Sequence, residues 1–144
     1  MHLEFFDTFE DPYLKTETGR GIFLAGITLG MLALGQSADS IDSSPIFKQM
    51  NFGRMKKRDI LRHMARVPEL TKAYHMEYGG LVDALCAKAG EFLLKGTARD
   101  IGVDGNFAFS VAFLNARQYF WTIFKSDKDK KDVSESSDIL EEGE

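Results

Sequence analysis

Between Thr18 and Gln36 the sequence is apolar on almost every helical face: Ile22, Phe23, Leu24, Ile27, Leu29, Met31, Leu32 and Leu34 leave no polar side to meet water. A helix of this kind has to be enclosed by other elements. Its uninterrupted apolar stretch, Ile22–Gly35, is 14 residues, short of the ~20 that a bilayer span needs. A central core helix capped by Thr18 is therefore expected. Gly26, Gly30 and Ala33 recur at spacings of four and three, so they share one side and let a neighbouring backbone approach closely.

The rest of the chain supplies the enclosing helices. Residues 3–10 predict a short helix with Phe5, Phe6 and Phe9 on one side, broken at Asp11-Pro12. Ser44-Pro45 has the form of a helix start, with Ser as cap and Pro at the first position, and predicts Pro45–Met50. Further helices are expected over Lys57–Arg66, from Pro68 to Tyr78, over Leu81–Lys95 after an interruption at Gly79-Gly80, and from Asp104 or Asn106 to Lys125. Met31, Met50, Met55, Met64 and Met76 read as core filler, and Trp121 as a core residue. Strand-type alternation is absent. The fold class is all-α: a compact bundle of five to seven helices over residues 1–125, followed by a disordered acidic tail over 126–144. At 144 residues the chain buries a real core without disulfides, and the single Cys86 excludes a disulfide-stapled module.

Charge is distributed unevenly. The net value is -4, but the tail holds eight carboxylates against three lysines, which leaves residues 1–125 at +1. Within that near-neutral body, the segment Lys48–Lys72 holds Lys48, Arg54, Lys56, Lys57, Arg58, Arg62, Arg66 and Lys72, opposed there only by Asp59 and Glu69. On a helix over Lys57–Arg66, Ile60, Leu61 and Met64 make the inward stripe. Arg58, Arg62 and Arg66 recur every four residues beside it, a ridge ~12 Å long at ~1.5 Å per residue. Guanidinium groups in a row grip successive phosphates through forked hydrogen bonds, contacts that position a strand without reading its bases. Phe52 and Tyr74 are the only aromatics close by in sequence, so backbone binding is favoured over base stacking. A face that docks an acidic protein is the rival reading. Lys95, Arg99, Arg20 and Arg117 are weaker candidates.

Little points to catalysis. His2, His63 and His75 offer no zinc-type spacing, and Cys86 has no companion. No phosphate-cradling glycine loop or Gly-x-Ser-x-Gly elbow occurs. Asp59 and His63, four apart, read as a surface ion pair. No enzyme, metal or cofactor is expected. The N-terminus, acidic before its apolar run, does not have the pattern of a secretory signal, and a cytoplasmic protein without a membrane role is expected.

The order of several segments resembles the C-terminal helical region of the large subunit of subtype I-B CRISPR Cascade complexes, a region also made as a separate small subunit. The resembling stretches are Gly21-Ile22-Phe23-Leu24-Ala25-Gly26 on through Leu29-Gly30 to Gln36, then Ser44-Pro45-Ile46-Phe47-Lys48, Phe52-Gly53-Arg54-Met55-Lys56-Lys57-Arg58-Asp59-Ile60, and Asp104-Gly105-Asn106-Phe107-Ala108-Phe109. The resemblance implies a non-catalytic small subunit of a crRNA-guided surveillance complex. Its implied partners are crRNA and target DNA, the Cascade backbone and large subunits, and further copies of itself. It implies that DNA strands are held during R-loop formation, with Lys48, Arg54, Lys56, Lys57, Arg58, Arg62 and Arg66 as the candidate nucleic-acid contacts. The large subunit's N-terminal portion, with its PAM-reading role, has no counterpart here, and a start at Met1 just before the first helix looks like an internally initiated product.

Overall fold

The computed structural model describes residues 1–37 and 40–125; the tail expected over 126–144 lies outside them. The described residues form seven α-helices and no strand: α1 (Glu17–Gln36), α2 (Pro45–Gln49), α3 (Lys57–Ala65), α4 (Val67–Ala73), α5 (Gly79–Lys95), α6 (Gly102–Leu114) and α7 (Ala116–Ile123). Short 3-10 turns at Glu4–Thr8, Pro12–Lys15 and Ile41–Ser43 complete the chain.

α1 is the axle. Every residue from Gly21 to Ala33 is buried, and all six other helices touch it. At 20 residues it is long and apolar enough to cross a membrane by those criteria alone, yet its flanks are filled by its own chain. The one hydroxyl deep in its middle, Thr28, is satisfied by donating to the Leu24 carbonyl at 2.8 Å, so it carries no unmet desolvation cost. The small-residue side works as the spacing predicts. A Cβ on Gly26 would lie 2.7 Å from the Phe109 carbonyl oxygen, and one on Gly30 would lie 2.5 Å from both the Phe113 carbonyl oxygen and the Ala116 Cβ. α6 and α7 thus rest backbone-close on α1 along these glycines.

The first segment is a 3-10 turn rather than an α-helix, and it serves as a lid of rings. Phe5, Phe6 and Phe9 stack among themselves and onto Phe23 of α1 and Tyr119 of α7, with Phe23 and Tyr119 edge-to-face at 4.9 Å. The His2 N–H donates to the Ile123 carbonyl at 2.7 Å and ties this lid to the end of α7.

Several boundaries differ from the sequence expectation, each for a local reason. Thr16, not Thr18, caps α1: its hydroxyl accepts from the Gly19 N–H at 2.9 Å, and Thr18 is buried. The Gly79-Gly80 pair opens α5 instead of interrupting the chain. α4 ends at Ala73 because His75 turns left-handed (φ 49°). The Met76 N–H then reaches the Thr71 carbonyl and the His75 N–H the Lys72 carbonyl, the paired bonds of a Schellman stop. The final helix is two. Asp104, Gly105 and Asn106 fall in the first turns of α6, which begins at Gly102, where Asp100 accepts from the Gly102 N–H at 3.1 Å. It breaks at Asn115, whose side-chain amide donates to the Val111 carbonyl at 2.8 Å, a local bond that competes with helix continuation.

Candidate nucleic-acid interface

α3 carries the basic face. Its start is fixed by Asp59, which accepts from the Lys56 N–H at 2.9 Å; a carboxylate in the first turn also suits the helix dipole. Ile60 and Met64 are buried and Leu61 half-buried, so the inward stripe is the expected one. Arg58, Arg62 and Arg66 stand exposed beside it, as do Lys48, Arg54 and Lys56. Arg66 sits at the junction with α4 and approaches the Gln49 side chain at 3.4 Å. The end of α2, where Lys48 lies, thus sits alongside the end of α3. The ion pairs of the described residues join Arg20 to Asp7 and Lys88 and Lys95 to Glu91, and the His2 ring lies 3.9 Å from the Glu4 carboxylate. None of the seven predicted cations has a carboxylate from the described residues within 4.0 Å.

Lys57 is the exception within the set. It is half-buried, and its ammonium donates to the Gly96 carbonyl at 2.8 Å, completing the C-terminal end of α5, where a cation meets the negative pole of the helix. That hydrogen bond holds the ammonium at the end of α5. Of the weaker candidates, Arg20 is structural as well. It donates to the Leu14 carbonyl, pairs with Asp7 and lies 5.2 Å over the Phe6 ring.

The expected Asp59–His63 ion pair does not form, because the Asp59 carboxylate is engaged by the Lys56 N–H. His63 is half-buried; burial, and then the Arg66 charge, hold its pKa below the usual imidazole value. It therefore adds no charge to this face at neutral pH. With Gln49, Asn51, Met55, Asp59 and Arg62 it lines a notch of about 330 Å³ beside the ridge. Cys86 is buried and inert: its thiol donates to the Met64 carbonyl at 3.4 Å, and burial raises its pKa to about 11. Among the described residues no three His, Cys, Asp or Glu side chains gather where a metal would sit.

The residue that aims the basic face was not visible in the sequence. Asn106, buried in the first turns of α6, accepts from the Met55 N–H at 2.8 Å and donates to the Met55 carbonyl at 3.2 Å and the Gly102 carbonyl at 2.9 Å. It clamps both polar groups of one backbone residue, midway between Arg54 and Lys56. Truncation to Ala orphans buried Met55 groups that each cost ~1–3 kcal/mol. Asn106→Ala is expected to lower unfolding stability by about 2 kcal/mol, read as a shift in urea midpoint. It should also speed amide exchange at residues 54–57, while Asn115→Ala, at an exposed site, does neither.

Residues 2–127 match the family model described as the C-terminal domain of CRISPR-associated protein TM1802. No curated protein and no solved structure matches the chain. The match spans all seven helices, including α3 and the clamp that aims it. The chain belongs to the CRISPR-associated TM1802 C-terminal domain family, and its role lies in CRISPR-related defence.

Proposed function

We propose that this chain is a non-catalytic, cytoplasmic small subunit of a crRNA-guided DNA surveillance complex of the Cascade type, and that it holds DNA strands by their backbones while the R-loop forms. The observation that carries the proposal is the Arg58–Arg62–Arg66 row. Three guanidinium groups project from a rigid helix, and no carboxylate of the described residues neutralises them. In such a complex guide pairing supplies sequence specificity, so a protein that grips sugar-phosphate backbone without reading bases suffices. Lys48, Arg54 and Lys56 extend the row; Lys57 supports it from behind.

A second reading, an adapter that touches only protein, is favoured by a different face. α6 leaves Val103 86%, Phe107 69% and Leu114 56% exposed, an apolar stripe at helical spacing of the kind that subunit contacts bury. An apolar α6 contact with neighbouring subunits or further copies of this chain fits either reading; what differs is whether α3 meets a strand or protein. Photocrosslinking of the assembled, target-bound complex separates them. Nucleic-acid adducts on peptides covering Lys48–Arg66 are expected. Adducts from those peptides to protein alone would leave the adapter in possession.

A further inference from the structure

Three large aromatic side chains remain open to solvent around one cleft. Tyr74 is 41% exposed, Tyr78 40% and Trp121 38%. With Leu34, Met76 and Arg117 they line a cavity of about 330 Å³ at the C-terminal end of α1. Trp121, expected in the core, is instead fixed at the rim. Its indole stands edge-to-face against Tyr78 (4.6 Å, 87°) and against Phe120 (5.0 Å, 86°). The floor is set by Met76, which packs where Gly35 has no side chain; a Cβ there would lie 2.8 Å from the Met76 methyl. The left-handed His75 sets the turn that separates Tyr74 from Tyr78. These rings are rigidly placed yet uncovered, and rigid amphipathic aromatics contribute large contact area at low entropic cost.

Charge and position favour one occupant. Arg66, the last member of the row, is also the residue from which α4 starts, and α4 runs directly to Tyr74, ~12 Å on at ~1.5 Å per residue. Lys72 is exposed between them. Along this path the cations Arg66, Lys72 and Arg117 outnumber the carboxylates Glu69 and Glu77, and Glu77 lines the cleft together with Arg117. A strand whose phosphates lie along α3 is thus led to a cleft with aromatic faces and a guanidinium, the combination that stacks unpaired bases regardless of sequence. We propose that the Tyr74–Tyr78–Arg117–Trp121 cleft stacks a base of a single-stranded segment held by the arginine row, an inference that rests on the reading of that row given above.

Trp121 is the only tryptophan in the chain, so its fluorescence reports on the cleft alone. The full chain is titrated with an oligomer of about 15 thymidines, within the range of single-strand site sizes, and with an abasic oligomer of equal length. Anisotropy of an end label gives affinity. The base-bearing strand is expected to quench Trp121 saturably and the abasic strand to leave it unchanged, binding about tenfold more weakly for the loss of one stacked base. Tyr78→Ala and Arg117→Ala should weaken the thymidine oligomer by a similar factor and the abasic one little. Should either variant fail to fold, the two oligomers on the unaltered chain still decide. Equal affinity for both strands with unchanged emission overturns the cleft and leaves the row standing. Absence of binding to either strand overturns both. Unchanged emission on strand binding, together with loss of subunit association on Tyr78→Ala, overturns it in favour of a protein contact.

Discussion

Replacing Arg58, Arg62 and Arg66 together with Ala is expected to weaken duplex binding about a hundredfold at 0.15 M salt. Each phosphate contact contributes ~0.9 to the slope of log K against log salt, so three contribute ~2.7; between 1 M and 0.15 M that is about a hundredfold. The slope itself should flatten by the same ~2.7. The fold should be untouched: all three side chains are exposed, and Arg and Ala differ little in helix propensity. Two controls follow from the ion pairs. Lys88→Ala and Lys95→Ala remove cations already paired with Glu91 on α5 and should leave the slope unchanged. Lys57→Ala should also leave it nearly unchanged, since that ammonium is engaged at the Gly96 carbonyl. It should instead show as fraying at the end of α5. A slope that survives the triple substitution would remove the row from strand binding.

The second large effect concerns the glycines of α1. Gly30→Val is expected to lower unfolding stability by about 3 kcal/mol, at the upper end of overpacking costs. Propensity alone predicts the opposite sign, because Gly is the poorest ordinary helix former. Packing wins because the first added carbon would lie 2.5 Å from a backbone oxygen of α6 and from the Ala116 Cβ. Neither can rotate away, so relief requires α6 and α7 to lift off α1. Gly90→Ala is the counter-case. Its added carbon meets only the Met64 methyl at 3.9 Å, ordinary contact, and a gain of up to ~1 kcal/mol is expected from propensity. Denaturant midpoints of the two variants should therefore move in opposite directions. A stabilised Gly30→Val would mean that α6 and α7 do not sit on the glycine side of α1.

Much of the helix set was legible because capping and periodicity are local. Ser44-Pro45 starts α2 as read, with the Ser44 hydroxyl accepting from the Phe47 N–H at 3.2 Å. Ile60 and Met64 face inward because four residues bring a side chain back to nearly the same face. The failures share the opposite property. Lys57 and Gly96 are 39 residues apart, Met55 and Asn106 are 51 apart, and nothing in either local sequence announces the other. Locally Asn106 reads, like Asp104, as a cap for the last helix; burial against α3's lead-in makes it a clamp. Trp121 reads as core among apolar neighbours, but α7 is only eight residues long and turns that face outward beside Tyr78.

By itself, the sequence determined that the chain is helical, that α1 lies at the centre, and that an arginine row runs beside the apolar stripe of α3. Helix geometry fixes the angle of every side chain about its own axis, and those angles can be read without knowing any neighbour. The tertiary structure alone decided which cations have no carboxylate of the described residues beside them, which one closes a distant helix, and that Tyr74, Tyr78, Arg117 and Trp121 share one cleft. These outcomes depend on what lies opposite each face. That is set by how α4, α5 and α7 close around α1, a matter of packing between segments remote in the chain.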